Sequence, residues 1–354
     1  SINLINNTKL ESLSCYENSL TSIDVAPLLH LNSLDCVDNN ITSLDVSNNI
    51  ELEYLQVYEN LLTSLDLSKN VKLIELYAEY NQITSLDVSK NTSLVDLSIY
   101  SNQLTYLNVR NGNNGILDHR DFDIRNNPGL TCVSVDDPAY ATATFTKKDG
   151  QTNFVTFCST TNIPDDNFEA YLETHNATGG LVSVGDPASM GNGIANDNLV
   201  GTEAIENITY LNISNQGITN FTGIEGFVAL QQFRAFQNSV TSLDLSSNTN
   251  LTEIACSDMG LTNINLSGLI ALEKVELRNN NLNTIDLSSN SQLKYLYLDY
   301  NSFNTIDVNS NSELLDLRLR ENSLTELDVT NNTNLTRLYC SGNSLTSINV
   351  LNNT

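Results

Sequence analysis

Residues 62–82 read LTSLDLSKNVKLIELYAEYNQ and residues 83–103 read ITSLDVSKNTSLVDLSIYSNQ. The first half of each stretch is nearly invariant, whereas the second keeps only its leucines and an asparagine. Working outward, Leu10, Leu31, Leu52, Leu73 and Leu94 recur every 21 residues, and Leu251, Leu272, Leu293, Leu314 and Leu335 repeat the same step. A fixed period of this size marks stacked coils rather than one globular core. From each anchor the unit reads LxxLxLxxNxL, as at Leu73, Leu76, Ala78, Asn81 and Ile83, and LTSLDLSxN supplies a second, nested LxxLxL. Alternating apolar positions bury one face of an extended segment, so two short parallel strands per coil are expected.

Acidic residues outnumber basic ones 42 to 16 over 354 residues, a net charge of −26. That balance argues against a nucleic acid or an anionic membrane as partner of the whole molecule. No apolar run approaches the ~18 residues that span a bilayer, so membrane insertion is not expected. Asn, Ser, Thr and Asp are abundant and Trp is absent. Strictly periodic leucines reconcile that polarity with an ordered solenoid. The six cysteines form no CxxC pair or Cys/His cluster, and His30, His119 and His175 are isolated, so neither zinc nor a histidine-centred active site is indicated. With no nucleophile elbow, phosphate loop or carboxylate pair across a cleft, the chain reads as a non-enzyme without a cofactor.

LxxLxLxxNxL resembles the leucine-rich-repeat signature, and the nested LxxLDLxxN half is similar to the subclass called IRREKO, found in bacterial surface proteins. The resemblance covers about three quarters of the chain. It implies a β-rich right-handed solenoid, with first-half strands forming a parallel sheet on the recognition face and an asparagine bonding the backbone of adjacent coils. That asparagine row is Asn18, Asn39, Asn60, Asn81 and Asn102, then Asn238, Asn280, Asn301, Asn322 and Asn343. Met259 interrupts it, which predicts a different turn in the coil at 251–271.

After Leu104 the period dissolves, and a new start appears at 163 with IPDDNFEAYLETH. Open coil ends leave apolar core and strand edges in water, so these stretches read as covers. The chain divides into array 1 over 1–160, with a C-terminal cap at about 105–160, and array 2 over 161–354, with an N-terminal cap at about 161–229. Phe168, Tyr171 and Leu172 follow Pro164 and two aspartates at helical spacing, predicting a short amphipathic helix. Asn126 to Asp137 and Ile163 to Leu172 resemble the flanks of leucine-rich-repeat regions in secreted surface proteins of Bacteroidetes, which implies a secreted or cell-surface location. Ser1 and Thr354 both fall inside a coil, so array 1 lacks its head cap, array 2 lacks its tail cap, and the chain reads as part of a longer one. Given secretion, a Cys132–Cys158 bridge would close the first cap. Cys15, Cys36, Cys256 and Cys340 take the core slot that Val57 and Ile99 fill elsewhere, and are expected as free thiols.

The invariant half carries Asp24, Asp45, Asp66, Asp87, Asp244, Asp286, Asp307 and Asp328 at coil spacing. Stacked carboxylates repel, so a structural calcium on Asp45, Asp66, Asp87, Asp286, Asp307 and Asp328 is one reading; hydrogen bonds from Ser and Thr neighbours and turn amides are the other. The variable half carries the display. Array 1 shows Tyr54, Tyr58, Tyr77, Tyr80 and Tyr100 with Glu59, Glu75, Glu79 and Asp96, and no Lys or Arg at those outward positions. Array 2 shows Tyr295, Tyr297, Tyr300 and Tyr339 with Arg234, Lys274, Arg278, Lys294, Arg318, Arg320 and Arg337, every basic residue from 161 onward, and with Glu276, Asp299 and Asp316 interspersed. Tyrosine and arginine dominate binding hot spots. The expected function is a recognition or adhesion module that binds a protein or an acidic polysaccharide through this face. The alternative is a rigid spacer within a larger surface protein.

Overall fold

The computed structural model describes residues 2–186 and 188–353. The chain forms two compact units, Ser1–Cys158 and Ser159–Thr354, each with its own apolar core.

In the first unit, strands Ser12–Ser14, Ser33–Asp35, Tyr54–Gln56, Glu75–Tyr77 and Asp96–Ser98 form one parallel sheet in strict register, so that Leu13, Leu34, Leu55, Leu76 and Leu97 align. Only the central residue of each three-residue strand points inward, because strand side chains alternate. The anchors Leu31, Leu52, Leu73 and Leu94 close the core behind them with no exposure. The second unit repeats this plan with a seven-stranded parallel sheet of Tyr210–Asn212, Gln232–Arg234, Glu253–Ala255, Lys274–Glu276, Tyr295–Tyr297, Asp316–Arg318 and Arg337–Tyr339. Second-half strands form intermittently: Ser85–Asp87 beside Tyr106–Asn108, Ser242–Asp244 beside Asn263–Asn265, and Glu326–Asp328 beside Ser347–Asn349. The architecture is a parallel β-solenoid with little helix.

Each coil satisfies the backbone of the next. Asn60 shows how the turn is held: its Nδ2 donates to the Cys36 and Val57 carbonyls at 2.9 and 3.2 Å, and its Oδ1 accepts from the Ile41 N–H at 3.0 Å. The residue before this asparagine lies in the left-handed region in successive coils, at Asp38, Glu59, Tyr80 and Ser101. A non-glycine residue there costs about 1–2 kcal/mol, which the asparagine bonds offset. In the coil interrupted by Met259 the turn does differ. Gly260 takes φ +80° and both the Met259 and Leu261 N–H groups donate to Asn280 Oδ1. Gln216 and Gly217 repeat this arrangement against Asn238.

A second asparagine ladder, which the sequence reading passed over, holds the opposite corner. Asn49, Asn70, Asn91, Asn248, Asn290, Asn311 and Asn332 are fully buried. Each donates Nδ2 to two carbonyls of the preceding coil, as Asn70 does to Val46 and Asn49 at 3.1 and 2.8 Å. Leu28, Phe227 and Leu269 stand at the same position in coils without it and are buried too.

The coils do not stop at Leu104. Asp118 to Ile124 form a further rung: Asp123 bridges Ser98, and Phe122 and Ile124 enter the core with no exposure. Asn127 joins the asparagine row, accepting from the Leu104 N–H at 3.0 Å. The step from Asn102 to Asn127 is 25 residues instead of 21, and that four-residue excess, two residues ahead of the buried Leu117 and two in the turn that follows it at 118–122, hid the rung from a fixed period. Cys132–Ser134 and Asn153–Val155 then extend the second-half sheet, with helix Pro138–Thr144 between them, N-capped by Asp137. In the second unit coils begin at Tyr210–Asn212, ahead of the expected 230. The helix predicted near 163 runs Asp166–Thr174 and is N-capped by Asp165. The other oxygen of Asp165 accepts from the Thr219 and Asn220 N–H groups, tying the helix to the first coils. Phe168 packs on Phe221 and Phe227.

Candidate recognition faces

Strand alternation gives every coil of the second unit the same outward positions, two, four and six residues after its anchor leucine. Register sets them in columns: Lys274, Tyr295, Asp316 and Arg337 in one, Glu276, Tyr297, Arg318 and Tyr339 in the next. Arg278, Asp299 and Arg320 continue the pattern at the sixth position. Here tyrosine rings and guanidinium planes interleave. Arg278 and Arg318 each lie over the Tyr297 ring, at 4.7 and 4.5 Å, and Arg318 and Arg320 approach Tyr339 at 5.1 and 5.5 Å.

Two aspartates organise this lattice from below. Asp316 is fully buried and accepts a fork from Arg318, Nε at 3.1 Å and Nη2 at 2.9 Å, while Arg337 Nε sits 3.1 Å away. Burial alone would raise the Asp316 carboxyl, but the Arg318 bonds and the charges of Arg318 and Arg337 outweigh it and hold it below the ordinary range. Asp299, also buried, accepts from the Arg320 backbone N–H at 2.9 Å and from Arg320 Nε at 3.0 Å, with Arg278 Nε at 3.4 Å. Arg234 pairs with Glu253 and Lys294 with Glu273. Of the seven expected cations, only Lys274 has no ion pair among the described residues. The cations gathered on this face are therefore largely compensated from within, by the acids interspersed among them and by Glu253 and Glu273. The signal was present in DLRLR at 316–320: period-two alternation puts Asp316 and Arg318 on one face, and 21 residues separate Asp299 from Arg320. Tyr295 and Tyr297 are half-buried, whereas Tyr300 stands 56% exposed at the left-handed turn position.

The first unit arranges its residues differently. Tyr54, Glu75 and Asp96 align in one column. Beside it, Tyr58, Tyr77, Tyr80 and Tyr100 surround Glu59, Glu75 and Glu79 in an open hollow of about 490 Å³. Tyr80 and Tyr100 meet edge to face at 4.9 Å. Burial pushes the Glu79 carboxyl above its ordinary range, and its Oε2 is buried with no hydrogen-bond partner. Burial first, then the Asp96 and Glu75 charges, push the Tyr77 phenol up to about 12. The additional rung brings cations that the sequence reading did not place near this face: Arg125 forks onto Asp123 and Arg120 onto Asp118.

The aspartates of the invariant half make Asx turns. Asp45, Asp66, Asp286, Asp307 and Asp328 each accept from the N–H two residues on, at 2.9–3.0 Å, and Asp87 does so at 2.7 Å. These bonds, with the Ser and Thr hydroxyls, hold Asp45, Asp66, Asp286 and Asp328 below the ordinary carboxylate range. Among the described residues the acidic group whose oxygens converge within 4.8 Å is elsewhere, at Asp96, Asp118 and Asp121. Cys132 and Cys158 are bonded, with Cα atoms 5.7 Å apart, and Cys15, Cys36, Cys256 and Cys340 are free. No helix among the described residues is long and apolar enough to cross a membrane.

Neither a model of a known protein family nor any curated protein matches the sequence. Among solved structures, the chain is similar to the functional domain of InlJ from Listeria monocytogenes, described as including a cysteine ladder. The two are 27% identical over 100% of this chain and 58% of that one, with a TM-score of 0.35. An internalin, inlF, from the same organism is 19% identical over 96% of this chain and 86% of that one, with a TM-score of 0.37. A leucine-rich-repeat protein of Leptospira interrogans is 16% identical over 96% of this chain and 68% of that one, with a TM-score of 0.33.

Proposed function

We propose that the chain is a secreted or surface-attached recognition module, without catalytic activity, that binds a protein partner through the arginine–tyrosine lattice of the second unit. The observation that carries this reading is the lattice's pre-arrangement: Arg318 is held by buried Asp316 beneath it and by Tyr297 and Tyr339 beside it. Such side chains lose little freedom on binding, and tyrosine and arginine supply large contact area per degree of freedom. An acidic polysaccharide fits this face less well, because six of its seven cations already oppose carboxylates. The Cys132–Cys158 bond supports an oxidising, extracytoplasmic setting.

The test is an array of secreted and cell-surface ectodomains, with sulfated and uronic-acid glycans alongside. Each binder is re-measured with the double variant Tyr300→Ala/Tyr339→Ala, which leaves the aspartate–arginine bonds in place. The expected result is a protein binder weakened at least about tenfold. Binding only to glycans would replace the protein reading, and no binder sensitive to the variant would leave the rigid-spacer reading.

A further inference from the structure

The hollow of the first unit and the lattice of the second occupy the same positions of the repeat. Tyr77, Glu79 and Tyr80 stand four, six and seven residues after Leu73, and Tyr297, Asp299 and Tyr300 stand at the same offsets after Leu293. The difference lies in the adjacent coils. Asp299 is flanked at the sixth position by Arg278 and Arg320, at 3.4 and 3.0 Å. Glu79 is flanked there by Tyr58 and Tyr100, and one of its oxygens is buried without a partner. Among the described residues no Lys or Arg lines this hollow. This hollow thus keeps the tyrosines and the carboxylate of the motif but not its guanidinium groups, the nearby Arg125 being forked onto Asp123 on the following rung. A buried, unpartnered carboxylate oxygen is costly and uncommon in a folded protein.

We propose that this hollow receives the guanidinium of an arginine presented by a basic protein partner. The inference does not rest on the reading of the second unit. Guanidinium suits the site better than ammonium, because it is planar, stacks on tyrosine faces and presents a fork to a carboxylate. The chain's own Arg318, 4.5 Å over the Tyr297 ring and forked onto Asp316, displays that arrangement on the same scaffold. Glu59 and Glu75 also line the hollow and add negative potential at its mouth. An incoming arginine would give Glu79 the counter-charge that Asp299 already has.

The test uses the full chain and a fluorescent peptide of alternating glycine and arginine, against the same peptide with citrulline, a neutral near-isostere. The arginine peptide is expected to bind at least about tenfold more tightly than the citrulline peptide at low salt, with affinity falling as salt rises. Glu79→Gln and, separately, Tyr80→Ala are each expected to weaken it by about three- to tenfold. The charge-matched control Glu313→Gln, in the other unit, should change it less than about twofold. Tyr80 is 49% exposed, so its variant keeps the test open should the Glu79 variant fold differently. Equal affinity for the citrulline peptide, equal loss in the control, or no binding at low salt would each overturn the proposal. None of these outcomes bears on the second unit, whose tyrosine variants are measured with different probes.

Discussion

Replacing Asp316 with asparagine keeps the side chain's shape and removes the charge that Arg318 and Arg337 share. The carboxylate has no exposure, whereas the two arginine side chains are 24% and 51% exposed. Three charge-assisted contacts converge on it at 2.9–3.1 Å, each worth about 1.5–3 kcal/mol before offsets. Much of that returns in the variant, because Arg337 is half in water and the desolvation cost of the buried carboxylate disappears. We expect a net loss of about 2 kcal/mol, nearly all of it through Arg318. Hydrogen exchange followed peptide by peptide across 293–340 suits the assay, since repeat arrays need not unfold as one cooperative unit. Double-mutant cycles pairing Asp316→Asn with Arg318→Met, and with Arg337→Met, should give couplings of about 1–2 kcal/mol and under about 0.5 kcal/mol. Equal couplings, or a total loss below about 0.5 kcal/mol, would mean that the ion pairs merely decorate the surface and that the face is not pre-arranged.

Glu79→Gln should stabilise the first unit at neutral pH. Its folded-state pKa is raised, so the ionised carboxylate costs stability above that pKa, and thermal unfolding of variant and wild type should converge as pH falls below the ordinary glutamate value of about 4.3. Asn60→Leu removes bonds to the Cys36, Val57 and Ile41 backbone and should cost about 3 kcal/mol in urea unfolding. Asn290→Leu should cost no more than about 1 kcal/mol, because leucine already serves at positions 28 and 269 and the variant removes the unpartnered Asn290 Oδ1. Cys132→Ser/Cys158→Ser opens a 26-residue separation and should destabilise the 132–158 segment by about 3 kcal/mol, read as faster proteolysis there.

The coil was legible because its core positions are forced. A leucine every 21 residues, an asparagine at one corner and an aspartate at the other leave few alternatives for the backbone. What stayed hidden had a physical reason in each case. The Phe122–Asn127 rung carries no anchor leucine in frame and follows a four-residue excess, so a fixed period steps past it although its core and turn residues are present. The second asparagine ladder lay in plain view in LSxN, but its asparagines are buried only because coil stacking turns that corner inward. The outward tyrosines and charged residues of the candidate faces were legible as a set; their pairing was not. Which cations remain open to a partner depends on side-chain choices such as the Arg318 fork onto Asp316, and periodicity alone does not decide those. Likewise the stacked aspartates suggested a need for cations, whereas each turns one oxygen onto its own chain two residues ahead.

The most direct test of the account is a carbon-13 carboxyl titration of the full chain, following Glu79 and Asp316 in one experiment. The account holds that the two faces keep a carboxylate in opposite electrostatic states: Glu79, six residues after its anchor leucine, lacks a counter-charge, whereas Asp316, two residues after its own, is supplied with Arg318 and Arg337. It predicts that Glu79 titrates above the ordinary glutamate range because it is buried without a cation. It also predicts that Asp316, buried beneath Arg318 and Arg337, titrates below the ordinary aspartate range. Glu79 at or below its ordinary value, or Asp316 above its own, would contradict the account.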